Sequence, residues 1–443
     1  MTTAPTLPPE PRIPLVSRLA FKNFKSFADN SVDLMKFNVL IGPNASGKSN
    51  LLSAFSFLKD VLRYDLDDAV SIQGGIDAVR CLYIPKTEPI TLGVRIELPG
   101  RVREPYFSLL FRPNEPTQFP RHSLYRNFVI DYSFSFVAAQ RTRRLRITSE
   151  QLSIRFEHKA EPTRRRFLAE RDANWYNAML SLTTNNGQLR VSMEDSDTDS
   201  PLQQNKYRID ELRESVKLQR DPIIKQRPIS LAFNGFPILS SMFKYDVDPK
   251  LGKNAIPVTG RTELEEDGDN LASALRVILG QKAARDMLQD LVTDALSFIK
   301  NVDVATFSDM TRFLRITERY NTRQKLPGNL LSDGTISVLT LIIALYFQSS
   351  QLTIFEEPDR GLHPALIRKI AAMMQEQSAR KQIIVSTHSP EFIDAIGQNL
   401  VLCTLRDEAG FTRIFKPIES DLTKEFAETM GIGRAYADNM IAG

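Results

Sequence analysis

The chain has 443 residues, 42% hydrophobic and 25% charged, and its 57 Lys and Arg against 53 Asp and Glu leave a formal charge of +4. A sizeable core is expected, and the near-balanced charge neither demands nor excludes nucleic acid. Two distant cysteines, Cys81 and Cys403, exclude a disulfide framework, four scattered histidines offer no zinc-ligand spacing, and no run of about 18 apolar residues is present to span a membrane.

From the N-terminus, Met1 to Pro14 carries five prolines and reads as a disordered lead-in rather than a signal peptide. Phe37-Asn38-Val39-Leu40-Ile41 is an apolar run that stops at Gly42-Pro43, which predicts a buried strand. Beyond the glycine loop, Leu51, Leu52, Phe55, Leu58, Val61 and Leu62 recur at helical spacing. Strand, loop and helix are therefore expected in that order.

The loop between them, Gly42-Pro43-Asn44-Ala45-Ser46-Gly47-Lys48-Ser49, matches the phosphate-binding P-loop pattern in full. Its glycines let backbone N–H groups turn inward around phosphates, and the helix that follows offers its positive end. Lys48 is then expected to reach the β- and γ-phosphates, and the Ser49 hydroxyl to bind Mg²⁺.

The middle of the chain, from about Thr91 to Asn301, is less legible. Phe128 to Val137 and Leu152 to Phe156 are strand-like, and Glu194 to Asp199 is an acidic loop expected to be solvated. Prolines at 162, 201, 222, 228, 237, 249 and 257 forbid a continuous heptad coil. The basic runs Arg141 to Arg146 and Arg164 to Arg166 read as solvated or internally paired surface in preference to DNA contacts. A helical pattern returns between Asn270 and Ile299.

Leu331-Ser332-Asp333-Gly334-Thr335 then opens a markedly apolar helix, Ile336 to Phe347. Ser332 has two readings, a plain N-cap and a ligand for a γ-phosphate held by a second protomer. Leu352-Thr353-Ile354-Phe355 is a short strand ending in Glu356-Glu357, where Glu356 would hold Mg²⁺ and Glu357 would polarise an attacking water. Pro364 to Arg380 reads as a helix, and Ile383-Ile384-Val385 as a strand leading to His388. A lone histidine is more often structural, but at this strand end it can bond a γ-phosphate. A hairpin, Leu400 to Leu405 and Thr412 to Phe415, and a helix from about Asp421 complete the chain.

The fold class expected is α/β, a nucleotide-binding head with a mixed or largely parallel sheet interrupted by an α+β insertion. The boundaries are 1–14 for the disordered N-terminus, 15–150 and 300–443 for the two lobes of the head, and 151–299 for the insertion.

The four elements in this order resemble the ABC ATPase superfamily, specifically its SMC/RecF-like branch. Gly42 to Ser49, with Asn50 after it, resembles Walker A, and Ser332 to Thr335 with Gly334 the signature loop. Glu356 and Glu357 resemble Walker B and the catalytic base, Asp359 to His363 the D-loop region, and His388 the switch histidine. Phe21 to Phe27 resembles the family's first strand. The lack of a heptad coil separates the chain from long-armed SMC proteins. Glu356 departs from the usual aspartate, and Asp333 and Thr335 from the glycine and glutamine of transporters. This pattern is similar to stand-alone bacterial relatives of the OLD nucleases and antiphage-defence ATPases. Gln73 and Gln140 are weak matches for the family's Q-loop residue, as are Arg63 and Arg80 for a cis-acting arginine.

The resemblance implies ATP and Mg²⁺ as ligands, catalysis by Glu357 with His388, a cytoplasmic ATP-sandwiched homodimer or higher oligomer, and a separate effector such as a Toprim-like nuclease. DNA is a further candidate partner, and a RecF-like repair clamp on duplex DNA is the alternative function. A transporter subunit is disfavoured by the long stretch between Lys48 and Ser332. Only residues 389–443 follow His388, too few for a Toprim domain, so no nuclease activity is expected in this chain.

Overall fold

Three apolar runs, 37–41, 352–356 and 382–386, become neighbouring parallel strands in the computed structural model, and this is the feature that positions the site. The structure describes residues 13–103, 123–139, 144–160, 176–185, 188–195, 237–257, 262–307, 310–417 and 431–438. Most of the lead-in 1–14, Gln140, Arg141 to Arg143, Arg164 to Arg166, the acidic residues 196–199 and most of the expected helix from Asp421 lie outside these. The chain divides into two compact units. The first is drawn from 1–35, 50–240 and 406–414, the second from 36–49, 241–405 and 415–443.

The first unit is built on seven antiparallel strands in the order β2-β1-β4-β5-β6-β7-β8. They are β1 (Leu15–Phe24), β2 (Phe27–Asp33), β4 (Ile90–Arg103), β5 (Ser123–Ala138), β6 (Leu145–Ala160), β7 (Tyr176–Asn185) and β8 (Gln188–Asp195). Alternation explains the burial: Phe128, Ile130, Tyr132, Phe134 and Phe136 of β5 all point to one face and are buried. The other face is polar and internally paired. Arg95 and Arg155 both reach Asp131, at 2.6 and 3.3 Å, and Arg126 reaches Glu157 at 2.6 Å. Of the first basic run, Arg144 and Arg146 are exposed where β6 begins. Helix α1 (Lys48–Arg63) covers the apolar face, with Phe57 5.9 Å from Phe24 and 6.1 Å from Phe136 between ring centroids. Two short helices, α2 (Leu66–Ile72) and α3 (Ile76–Val79), follow it, and α4 (Pro237–Ser240) ends the long middle stretch.

In the second unit β3 (Phe37–Ile41), β9 (Phe243–Tyr245), β14 (Leu352–Glu356), β15 (Gln382–Ser386) and β16 (Val401–Arg406) are parallel, in the order β16-β3-β15-β14-β9. β3 and β15 are buried throughout, as expected for strands covered on both faces. Of the hairpin expected at the tail, β16 lies in this unit, whereas most of β17 (Thr412–Phe415) falls in the first. The helices are α5 (Pro249–Gly252), α6 (Leu271–Gly280), α7 (Lys282–Ala295), α8 (Asp333–Tyr346), α9 (Pro364–Gln377), α10 (Pro390–Asp394) and α11 (Ile432–Ala437). A small antiparallel sheet, β10 (Ile256–Pro257), β11 (Ile299–Thr306), β12 (Thr311–Glu318) and β13 (Lys325–Pro327), completes it. Residues 335–345 of α8 are all buried, which is why the helix is apolar on every side. Although α6 and α7 fall in the stretch 151–299 assigned to the insertion, their Leu275, Ile278, Leu288 and Val292 share one core with Phe37, Val39 and Ile383. Their apolar stripes complete that core, so the unit bearing the glycine loop reaches back to Ser241.

Lys381, just before β15, is buried and donates from Nζ to Gln348 O at 3.0 Å, beyond the C-terminus of α8. Burial lowers its pKa from 10.5 to about 8. Between those values the unfolded chain keeps the proton that the folded chain has released, so this group makes stability rise with pH. Denaturant titrations at pH 8 and pH 10 are expected to show a smaller gain for Lys381→Met than for the wild type. Equal gains would contradict this burial effect.

Candidate functional site

The loop that follows β3 closes on itself through its backbone. Gly42 has φ +151°, and a Cβ there would stand 2.4 Å from Thr404 O and 2.7 Å from Ser46 Oγ, so only glycine fits. Ala45 and Gly47 also take positive φ, +61° and +112°. The Ser46 hydroxyl meets that of Thr404 at 2.6 Å, which ties the loop to β16. Pro43, Asn44, Ala45 and Ser49 are exposed. Lys48 opens α1, is only 7% exposed, and donates from Nζ to Gly42 O at 2.7 Å and Pro43 O at 3.0 Å. Burial lowers its pKa, and the nearby carboxylates of Glu357 and Glu356 oppose that shift.

Those carboxylates stand at the carboxyl end of β14. Glu356 is held by Lys244 of β9 at 2.6 Å, because Lys244 pairs with Ile354, two residues back on the same face. Glu357 lies just past the strand with φ +44°, a left-handed conformation that costs a non-glycine residue about 1–2 kcal/mol. A bond from its N–H to Ser386 O, 2.9 Å, keeps it there. Arg360 grips Glu357 Oε2 with Nε at 3.2 Å and Nη2 at 3.0 Å, and this contact raises the Arg360 pKa. The other oxygen, Oε1, faces His388 Nε2 at 3.6 Å, too long for a hydrogen bond.

His388 follows β15. Burial, with Lys48 adding to it and Glu357 opposing, holds its pKa below the ordinary value, so the ring is mainly neutral at pH 7. Its Nδ1 lies 3.1 Å from Tyr436 Oη. That hydroxyl also donates to Gly42 O at 2.8 Å and accepts from Gly42 N–H at 3.3 Å. Lys48, Glu356, Glu357 and His388 are thus brought together at one edge of the parallel sheet.

Ser332, Gly334 and Asn50 have other surroundings. Ser332 is exposed and N-caps α8, its hydroxyl accepting from Thr335 N–H at 3.2 Å and meeting Thr335 Oγ1 at 2.8 Å. Asp333 beside it is ion-paired with Lys253, and Gly334 is half-buried. The Asn50 amide donates to Ser26 Oγ at 2.8 Å within the first unit. Gln73 and Arg63 also belong to the first unit, as does Arg80, which is bonded to Asp77 and to the carbonyls of Cys81 and Ile84.

Three participants carry no local signal: Lys244 on a three-residue strand, Thr404 within β16, and Tyr436 on a six-residue helix, whereas Arg360 lies within the singled-out stretch Asp359 to His363. Gly42 and Gly361 give a test of the loop. Gly42→Ala adds a clash to its backbone strain, whereas a Cβ at Gly361, φ +72°, meets nothing within 4 Å. Denaturant unfolding is expected to show a loss of about 2–4 kcal/mol for Gly42→Ala and about 1 kcal/mol for Gly361→Ala. Equal losses would contradict the close approach of Thr404.

A family model described as "AAA domain, putative AbiEii toxin, Type IV TA system" matches residues 37–394. No curated protein matches the chain. Among solved structures, an SMC head bound to the C-terminal winged-helix domain of ScpA is 12% identical with a TM-score of 0.43, over 90% of this chain and 97% of that one. The SMC head domain from Thermotoga maritima is 13% identical with a TM-score of 0.38, over 90% and 98%. An SMC head with an extended coiled coil, bound to the C-terminal domain of ScpA derived from Pyrococcus furiosus, is 11% identical with a TM-score of 0.34, over 91% and 96%.

Proposed function

The chain belongs to this AAA-domain ATPase family, and on that premise we propose that it binds and hydrolyses ATP with Mg²⁺, closing as a homodimer around the nucleotide to control a separate effector. The observation that carries the reading is the convergence of Lys48, Glu356, Glu357 and His388 on one glycine loop. The carbonyls of Gly42 and Pro43 now accept from Lys48 Nζ. Phosphate oxygens are stronger acceptors for the same ammonium, so nucleotide would draw it off the loop and release those carbonyls. Glu357, held in place by its backbone bond, would accept the proton of the attacking water once Arg360 lets go.

The donor set suits Mg²⁺. No group of three or more His, Cys, Asp or Glu gathers among the described residues, and Mg²⁺ takes most of its ligands from water and phosphate. Ser49 and Glu356 would supply the protein oxygens, and Glu356 already has a cationic partner in Lys244. The ion would neutralise charge on the phosphates.

The hydroxyl of Ser332 and the amino end of α8 are exposed, and both suit a γ-phosphate presented by a second protomer. Two ATP molecules would then bind a two-fold pair together. The family's description names a toxin of a type IV toxin–antitoxin system. In keeping with it we place the chain in bacterial antiphage defence, where closure and hydrolysis gate a partner such as a Toprim-like nuclease.

Lys48→Ala is expected to weaken ATP binding at least about tenfold, and turnover with it. Glu357→Gln keeps binding but lowers hydrolysis by about 10²–10³-fold. Wild-type hydrolysis by Glu357→Gln would remove Glu357 as the base. Both native cysteines are buried, so a cross-link between Asn44→Cys and Ser332→Cys has a low background. Inter-chain linking is expected to need ATP and to persist in Glu357→Gln. Linking that ignores ATP would contradict the sandwich.

A further inference from the structure

Tyr436 makes three polar contacts with one hydroxyl. A phenol carries one hydrogen and two acceptor lone pairs. Gly42 O, at 2.8 Å, can only accept, so it takes the hydrogen. Gly42 N–H, at 3.3 Å, can only donate, so it takes one lone pair. What remains for His388 Nδ1, at 3.1 Å, is the second lone pair. Nδ1 must then carry a hydrogen of its own. The geometry points to Tyr436 as a positioning residue that holds His388 in its Nδ1–H tautomer, with Nε2 bare toward Glu357.

The placement of Tyr436 is built into the packing. Gly433, one turn earlier on α11, donates from its N–H to Asp394 Oδ1 at 2.7 Å, and a Cβ there would lie 2.3 Å from Pro390 O. Ile432 and Ala435 are buried. Helix α10, which takes this contact, begins two residues after His388 and is capped by the Ser389 hydroxyl. The histidine, in the turn that leads into α10, and the tyrosine, on α11, are thus held by helices packed against each other.

The tautomer changes what His388 does, on the reading of this site as an ATPase. A neutral ring with Nε2 bare cannot donate to a phosphate oxygen. It accepts, as does Glu357 Oε1 beside it, 3.6 Å away. Two adjacent acceptors favour a ligand with two hydrogens to give, which is water. His388 therefore orients the attacking water with Glu357, and Tyr436 acts through it.

The test is long-range ¹H–¹⁵N NMR of the full chain labelled in histidine. There are four histidines, and the His388 signals are those lost in His388→Gln. At pH 8 without nucleotide, His388 is expected to show a protonated Nδ1 and a bare Nε2. Tyr436→Phe keeps the ring but removes the hydroxyl, and should move both nitrogens toward the values of a mixed tautomer. A wild-type His388 protonated at Nε2, or a tautomer unchanged in Tyr436→Phe, would overturn the proposal. The wild-type spectrum decides this even if the variant fails to fold or the chain does not turn over ATP. In turnover, Tyr436→Phe should lower kcat by about tenfold while KM for ATP stays within about twofold. A change in KM alone would also overturn it.

Discussion

Leu40, Ser386 and Glu356 stand in one row across three parallel strands, and the whole site depends on that row. Two residues beyond Leu40 the chain becomes the glycine loop, one beyond Glu356 it reaches Glu357, and two beyond Ser386 it reaches His388. A slip of one residue in either pairing would turn buried side chains toward the wrong face and carry these groups apart. The register is well defended, since β3 and β15 are buried on both faces and the apolar helix α8 is enclosed in the same core.

On that row the chain holds conformations and charges that are unfavourable in isolation. Glu357 and Ala45 are non-glycine residues with positive φ, and Glu357 is held by the Ser386 carbonyl. The charges compensate in pairs: Lys244 with Glu356, Arg360 with Glu357, and Lys48 with the loop carbonyls. Every pair joins a group suited to a nucleotide or its metal to a substitute within the protein. On the proposed function, binding would exchange these partners for those of the nucleotide, a form of electrostatic preorganisation.

What could be read from the sequence was what is local in it. Strand, loop and helix around Lys48 are contiguous, and the run that ends in Glu356 and Glu357 is apolar enough to announce a buried strand. The cap at Ser332 was legible for the same reason. Lys244, Thr404 and Tyr436 were not, because each reaches the site through pairing or packing with residues far away in the chain. Lys244 sits on a strand too short to show alternation, and Tyr436 on a helix shorter than two turns. The helices α6 and α7 were visible as a periodic pattern, yet nothing local in them reveals that they share a core with Phe37 and Val39.

On the proposed function, the glycine loop with Lys48 and the two glutamates forms a nucleotide site in a single chain. Calorimetric titration of ATP into the purified protein, with and without Mg²⁺, decides this. Saturable binding at one site per chain, tighter with Mg²⁺ and competed by ADP, is the result predicted. A chain that takes up no nucleotide under either condition would show that the loop is not a nucleotide site.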